Sequence, residues 1–127
     1  LSSLYQHLNF NVEVLNQNLV TQVNRKKPKL ILDYKRIFVD YDDTFPHIEK
    51  TLLKLKKPVV VITRSKVKVN TIYPTIYVDD NELKSNIINK YSNDSSIFID
   101  DSFKERKDVF SNCNIPSITP EETDYLI

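Results

Sequence analysis

Apolar residues follow two different patterns along this chain. Between residues 3 and 24 they recur every three or four positions, which is the spacing that places side chains on one face of a helix. A basic segment that contains a proline, residues 25–29, is typical of a helix end. The apolar face needs burial, either against the rest of the chain or through self-association. We therefore predict an N-terminal helical extension at residues 1–29, followed by an α/β domain at residues 30–127.

From residue 36 onward, short runs of Val, Ile and Phe alternate with segments of helical pattern. Strands that are apolar on both faces and separated by helices indicate a mainly parallel sheet covered on both sides, an α/β fold of three layers. Asp79 or Asp80 is expected to cap the middle helix, and residues 65–70 are expected to form a turn or short helix. The predicted strands are residues 37–40, 58–63, 75–78, 96–100 and 115–118, and the predicted helices are residues 46–56, 81–91 and 103–111.

Polar side chains stand at or just beyond the ends of these strands. Acid pairs follow the first and fourth strands, a threonine ends the second, and a lysine lies in the helix before the fourth. Ligands of open α/β sheets bind outside the carboxyl ends of the strands, so we expect these side chains to converge on one site. The predicted site residues, in chain order, are Asp40, Asp42, Thr63, Arg64, Lys84, Asp100 and Asp101.

This set of side chains suits phosphoryl transfer. A carboxylate that attacks a phosphoryl group forms an aspartyl-phosphate, which divides one difficult displacement into two easier steps. Mg²⁺ held by carboxylates removes the repulsion between the two anions, while a hydroxyl and a lysine balance the charge on the phosphoryl oxygens. An acid two residues after the nucleophile lies on the same side of an extended strand, from which it can protonate the leaving oxygen and later activate water.

The order of these residues resembles that of the haloacid-dehalogenase-like phosphatases. Residues 40–44, Asp-Tyr-Asp-Asp-Thr, match the Asp-x-Asp-x-Thr motif of that family. Thr63 matches its second motif, Lys84 its third, and the Ile-Asp-Asp of residues 99–101 its fourth. The resemblance covers roughly residues 35–120. Residues 62–64 and 96–109 look in particular like small bacterial modules that occur alone or fused to ATP-grasp and surface-polysaccharide enzymes.

The resemblance implies a Rossmann-like fold and a Mg²⁺-dependent phosphatase that works through an aspartyl-phosphate. Asp40 would be the nucleophile, and Asp42 would act as general acid and base. Phosphate would be held by Thr63 and Lys84, and Mg²⁺ by Asp40, Asp100 and Asp101 together with the Asp42 carbonyl. Arg64 directly follows Thr63, so we also expect it to reach the substrate anion. The substrate would be an organic phosphate, either a small molecule or a larger phosphorylated partner.

The chain departs from that family in leaving little room for a lid. Phe45 and Pro46 lead directly from the first motif into a helix, and the stretch between Thr63 and Lys84 is also short. Caps exclude water and choose substrates, so we expect a capless, open site that suits a large substrate or a partner domain that supplies the lid. The N-terminal extension makes a homodimer or an upstream domain the candidate partner. The same openness fits a second hypothesis, a catalytically weak or inactive module with a regulatory or assembly role. A receiver domain is disfavoured, because the late strand ends in two acids.

Composition narrows the remaining classes of function. The 127 residues include no glycine, which excludes glycine-rich phosphate loops. The net charge of +1 does not call for a nucleic-acid partner, and no apolar run reaches the ~20 residues of a membrane helix. The single cysteine, Cys113, excludes a disulfide framework and a thiolate metal cage. It is expected to be a small, half-buried residue in a protein of the reducing cytoplasm.

Several of the polar residues also have ordinary structural explanations. Lys84 can be an exposed lysine that pairs with a helix neighbour, and Glu105 and Arg106 can be members of surface i, i+4 pairs. Asp43 is expected to accept a local hydrogen bond rather than bind a metal. The two histidines are expected to have surface or packing roles. Only the tertiary structure distinguishes these alternatives from roles in the site.

Overall fold

A parallel sheet organises residues 34–91 and 95–126, the part of the chain that the computed structural model describes. The predicted extension at residues 1–29 lies outside the described residues. Within them the sheet has 5 strands in the order β3-β2-β1-β4-β5, and all neighbouring strands are parallel. The strands are β1 (Arg36–Asp40), β2 (Val59–Thr63), β3 (Thr75–Tyr77), β4 (Ser96–Ile99) and β5 (Ser117–Ile118).

β1 lies at the centre of the sheet because its apolar side chains are buried on both faces. Phe38 is 1% exposed, and its neighbours Ile37 and Val39 are fully buried. From β1 the chain builds outward through β2 and β3, and then crosses back to place β4 on the other side of β1. Strand order therefore reverses between β1 and β4, and the carboxyl ends of the strands at such a reversal are where open α/β sheets bind their ligands.

Helices cover both faces of the sheet. On one face, α1 (Phe45–Leu55) and the 3₁₀ helix Pro120–Leu126 pack on the side chains of Ile37 and Val39. On the other face, α2 (Lys84–Ile88) and α3 (Phe103–Cys113) pack around Phe38. This alternation along β1 is the period of two of a strand, so the fold has the three layers that the sequence predicts.

α1 illustrates how local sequence produces one of these layers. Phe45, Ile48 and Leu52 are its buried residues, and their spacing places them on one helix face. Pro46 occupies the first turn, where its missing N–H costs no helix hydrogen bond. The helix ends at Lys56, whose φ of 54° is left-handed. Glycine usually fills this position, and a chain without glycine has to use another residue there.

One local prediction is wrong. Neither Asp79 nor Asp80 caps α2, because the helix begins later than predicted, and its N-cap residue Leu83 has no side-chain cap. Instead, the Asp108 carboxylate on α3 accepts hydrogen bonds from the Ser85 N–H at 3.1 Å and the Ser85 Oγ at 2.8 Å. Residues 65–70, for which a turn or a short helix was expected, form no helix, and the chain bends at Lys66 and Val67. A contact between two helices has thus replaced the local cap that the sequence suggested.

No helix in the described ranges 34–91 and 95–126 is long and apolar enough to cross a membrane.

Candidate functional site

Three aspartates meet at the carboxyl ends of the two central strands. The register pairs Val39 of β1 with Ile99 of β4, so the next residue of each chain segment, Asp40 and Asp100, emerges at the same edge of the sheet. One carboxylate oxygen from each of Asp40, Asp100 and Asp101 lies within 4.8 Å of the other two. Asp40 and Asp100 are buried, whereas Asp101 is exposed. The cluster is therefore open to solvent on the side of Asp101.

Lys84 supplies a buried positive charge to this cluster. Its Nζ donates a hydrogen bond to Asp40 Oδ1 at 2.8 Å and to Asp100 Oδ2 at 3.1 Å, and it lies 3.3 Å from Glu105 Oε2. The side chain is 2% exposed. An ammonium group has three donors, and here each of the three N–H groups has one carboxylate within reach. The structure thus excludes the alternative of an exposed lysine and brings Lys84 to the predicted site.

Burial dominates the ionisation of the two buried aspartates. Desolvation raises the pKa of Asp100 to about 7, against the opposing charge of Lys84. Desolvation also raises the pKa of Asp40, and Lys84 again opposes the shift. For Lys84 itself, burial favours the neutral form, but Asp100, Asp40 and Glu105 outweigh it and raise the pKa. Lys84 therefore stays charged, while the two buried carboxyls hold their protons more tightly than ordinary aspartates.

Thr44 fastens the loop after β1 to the loop after β4. This residue is fully buried, and its Oγ1 donates to Asp101 Oδ1 at 3.3 Å and accepts from the Asp101 N–H at 3.2 Å. The motif threonine therefore sets the position of an aspartate from another strand. The sequence pattern includes Thr44 but did not indicate this contact.

Asp42 lies in a turn rather than on an extended strand. β1 ends at Asp40, and hydrogen bonds from the Thr44 and Phe45 N–H groups to the Tyr41 carbonyl close a turn at 3.2 and 3.0 Å. The expectation that an extended strand carries Asp42 to the same side as Asp40 is therefore wrong. Asp42 is exposed and is not one of the three clustered carboxylates, although its charge contributes to the raised pKa of Asp40, after burial and Asp101.

The start of α3 holds Asp100 in place. The Ser102 N–H donates to Asp100 Oδ1 at 2.9 Å, and the Ser102 side chain caps the helix by accepting from the Glu105 N–H at 3.4 Å. Arg106 is 5% exposed, and its Nη1 donates to the Asp100 carbonyl at 2.8 Å. The interpretation of Arg106 as a surface residue is therefore wrong, because its guanidinium is buried and binds the backbone carbonyl of Asp100.

Arg64 and Glu105 form a paired contact at the rim of the site. Arg64 Nε and Nη2 donate to the two oxygens of the Glu105 carboxylate at 3.1 and 3.3 Å. Burial opposes ionisation of Glu105, but the hydrogen bond from Arg64 and the charge of Lys84 outweigh it and lower the pKa. Glu105 thus connects two predicted site residues. The sequence suggested a surface i, i+4 pair as the structural explanation for Glu105 and did not indicate its contacts with Arg64 and Lys84.

Thr63 is fully buried at the end of β2, where its Oγ1 accepts a hydrogen bond from the Ser65 N–H at 3.0 Å.

Cys113 is half-buried, as expected, and its thiol lies 3.3 Å from the Ser85 carbonyl oxygen. Burial and the charge of Asp108 raise its pKa to about 11. A thiol with so high a pKa is a poor nucleophile at neutral pH, in agreement with the small, half-buried residue that the sequence predicts. Asp43 is exposed, with a left-handed φ of 57°.

Comparison of the chain with protein-family models, curated proteins and solved structures found no match. The function is therefore argued from the site itself.

Proposed function

We propose that this protein is a Mg²⁺-dependent phosphohydrolase of the haloacid-dehalogenase-like type, which acts on an organic phosphate through an aspartyl-phosphate. The observation that carries the proposal is the convergence of Asp40, Asp100 and Asp101 around the buried ammonium of Lys84. These residues come from three separate segments of the chain, and each matches a position of the motif order described above. The central position of β1 and the reversal of strand order beside it also agree with a Rossmann-like sheet.

The clustered carboxylates fit a divalent cation that prefers oxygen ligands. Mg²⁺ commonly takes one or two carboxylates and completes its coordination with water and substrate oxygens. Asp40, Asp100 and Asp101 would hold it, with Asp101 on the solvent side. A bound cation would neutralise charge at the phosphoryl group and would lower the pKa of the buried carboxyls, which favours the ionised form of Asp40.

The residues of the chain divide the reaction between them. The Asp40 carboxylate attacks phosphorus, and the bond from phosphorus to the ester oxygen breaks. Asp42 gives a proton to the leaving oxygen, and in the second step it accepts a proton from the water that attacks the aspartyl-phosphate. This restores Asp40 and releases phosphate. Asp42 needs to turn toward Asp40 for this role, and its exposed position on a solvent-facing turn leaves it room to do so.

Phosphate would contact Thr63, the last residue of β2, and Lys84, the first residue of α2. Among the three carboxylate contacts of Lys84, the one to Glu105 is the longest at 3.3 Å. It is therefore the contact that a phosphoryl oxygen would share most readily, because the shorter bonds to Asp40 and Asp100 are stronger.

The direct test is hydrolysis of p-nitrophenyl phosphate and of a panel of metabolite phosphates, with Mg²⁺ and then with excess EDTA. We expect phosphate release that requires Mg²⁺. Equal rates with Mg²⁺, with EDTA and without protein would contradict the proposal.

Mg²⁺ is expected to stabilise the protein through Asp101. A ligand that binds only the folded state adds about 2.7 kcal/mol when its free concentration is 100 times Kd, so the thermal midpoint should rise on addition of Mg²⁺. Asp101→Asn should reduce this rise. The matched control is Asp80→Asn, which removes one charge from a surface pair with Lys66 whose side chains are 67% and 70% exposed. If both variants respond to Mg²⁺ like the wild type, Asp101 is not a ligand.

The second candidate is a module that keeps the metal site but turns over slowly or not at all, with a regulatory or assembly role. The observation in its favour is that the turn Tyr41–Thr44 joins β1 directly to α1, so no inserted segment covers the cluster there. Mg²⁺ binding without turnover, together with a stable oligomer in sedimentation, would favour this candidate. Robust turnover would exclude it.

A further inference from the structure

A chain of ion pairs runs from the rim of the site to its centre. Arg64, just after β2, binds Glu105 in the first turn of α3. Glu105 in turn lies 3.3 Å from Lys84 Nζ, which contacts Asp40 and Asp100. The side chains become more buried along this series of ion pairs, from 26% exposed for Arg64 through 15% for Glu105 to 2% for Lys84.

All three nitrogens of the Arg64 guanidinium already donate to protein acceptors. Nε and Nη2 bind the two oxygens of Glu105, and Nη1 donates to the Asp79 carbonyl at 2.6 Å. A forked contact between guanidinium and carboxylate fixes both distance and orientation, which a single hydrogen bond does not. A phosphate group that approached Arg64 through Nε and Nη2 would have to displace this fork, because those N–H groups already point at Glu105. The sequence-based role of Arg64 as a phosphate ligand thus competes with a contact that the fold already makes.

We propose that Arg64 is a positioning residue: it fixes Glu105, and Glu105 holds the Lys84 ammonium in line with Asp40 and Asp100. The proposal rests on the proposed phosphohydrolase function, in which Lys84 balances the charge of the phosphoryl group. A lysine has four rotatable methylenes, and a small error in its placement costs much of its effect on a reacting group. Arg64 therefore acts through Glu105 and Lys84, without touching the substrate.

The kinetic test is Arg64→Gln assayed with p-nitrophenyl phosphate and Mg²⁺. If Arg64 positions Lys84, kcat should fall by ~10-fold or more, while KM and the inhibition constant of inorganic phosphate stay within ~3-fold of wild type. Glu105→Gln should give a similar loss. The double variant should lose little more, because the two residues act through one contact. The control is Lys66→Gln, which removes one positive charge from the same loop and an exposed ion pair; it should leave every constant unchanged.

Different outcomes would overturn the proposal. If Arg64→Gln raises KM and the inhibition constant of phosphate together at constant kcat, Arg64 binds the anion directly. If the losses of kcat in Arg64→Gln and Glu105→Gln are fully additive in the double variant, the two residues do not act through one contact. Amide spectra of each variant in ¹⁵N-labelled protein would show whether the fold is retained.

A readout independent of turnover separates this inference from the proposed function. The ¹⁵N relaxation of the Lys84 ammonium measures how firmly the group is held. We expect greater mobility of this ammonium in Arg64→Gln and Glu105→Gln than in wild type or Lys66→Gln. Unchanged mobility of the Lys84 ammonium in these variants would contradict the positioning role of Arg64, even if the enzyme is active. Absence of wild-type turnover would instead count against the phosphohydrolase function alone. The mobility of the Lys84 ammonium would still decide whether Arg64 and Glu105 position it.

Discussion

Replacement of Asp40 by asparagine is expected to lower phosphate release by ~10³-fold or more, because the amide cannot form the acyl-phosphate on which both steps depend. Asp40 is the last residue of the central strand, and its carboxylate accepts a hydrogen bond from Lys84 at 2.8 Å. Asparagine has nearly the same shape and keeps an oxygen for that bond. The loss should therefore appear in kcat, with the thermal midpoint and the amide spectrum close to those of the wild type.

The matched control for this variant is Asp43→Asn. Asp43 lies on the same loop, is exposed, and has a left-handed φ of 57° that asparagine also adopts readily. The control thus removes one negative charge near the site without altering the cluster, and we expect its rate to stay within ~3-fold of wild type. Equal losses of rate in Asp40→Asn and Asp43→Asn would mean that the rate depends on the total negative charge of the loop. Asp40 would then not be the nucleophile.

Replacement of Lys84 by methionine is expected to destabilise the metal-free protein by about 3–5 kcal/mol, the usual cost of leaving buried charges without their partner. Asp40 and Asp100 would then face each other across a buried space with no counter-ion, and burial already raises the pKa of each. Methionine fills much of the space of the lysine stem, and the Nζ that it removes lies over the Phe98 ring, 5.8 Å from the ring centre. Urea unfolding in EDTA at neutral pH measures the change in free energy.

The control for Lys84 is Lys90→Met, because Lys90 is exposed shortly after the same helix. Its effect should be within about 0.5 kcal/mol of zero, as for most surface substitutions. The double variant Lys84→Met, Asp100→Asn should recover part of the lost stability, since it removes one of the unpaired charges. A change of less than about 1 kcal/mol in Lys84→Met would show that Lys84 does not neutralise the cluster.

The acid pairs were predictable from the sequence because strand ends are visible in it. The run of Ile, Phe and Ile at residues 97–99 is typical of a buried strand, and the residue that follows such a strand lies at its end. The position of Asp100 beside Asp40 then needs only two neighbouring parallel strands. The resemblance to the haloacid-dehalogenase-like phosphatases drew on the same visible pattern, and the roles it implies for these acids stay a prediction.

Contacts between distant side chains were not predictable in the same way. From the sequence, Glu105 could be a member of a surface pair and Arg64 a phosphate ligand, whereas in the fold these two residues bind each other across 41 positions of the chain. Asp42 shows the converse error. Its spacing from Asp40 suggested one side of a strand, but the chain turns directly after Asp40. Local spacing gives orientation only while the backbone keeps its regular period.

By itself, the sequence determined the class of fold, the places where strands end and the kinds of side chain found there. These follow from hydrophobic burial and backbone periodicity, which act within a few residues of each position. Only the tertiary structure decided that Lys84 is buried between two aspartates, that Glu105 joins it to Arg64, and that Thr44 holds Asp101. These contacts join residues 16 to 57 positions apart. Their energies depend on desolvation and orientation, which no local pattern of residues specifies.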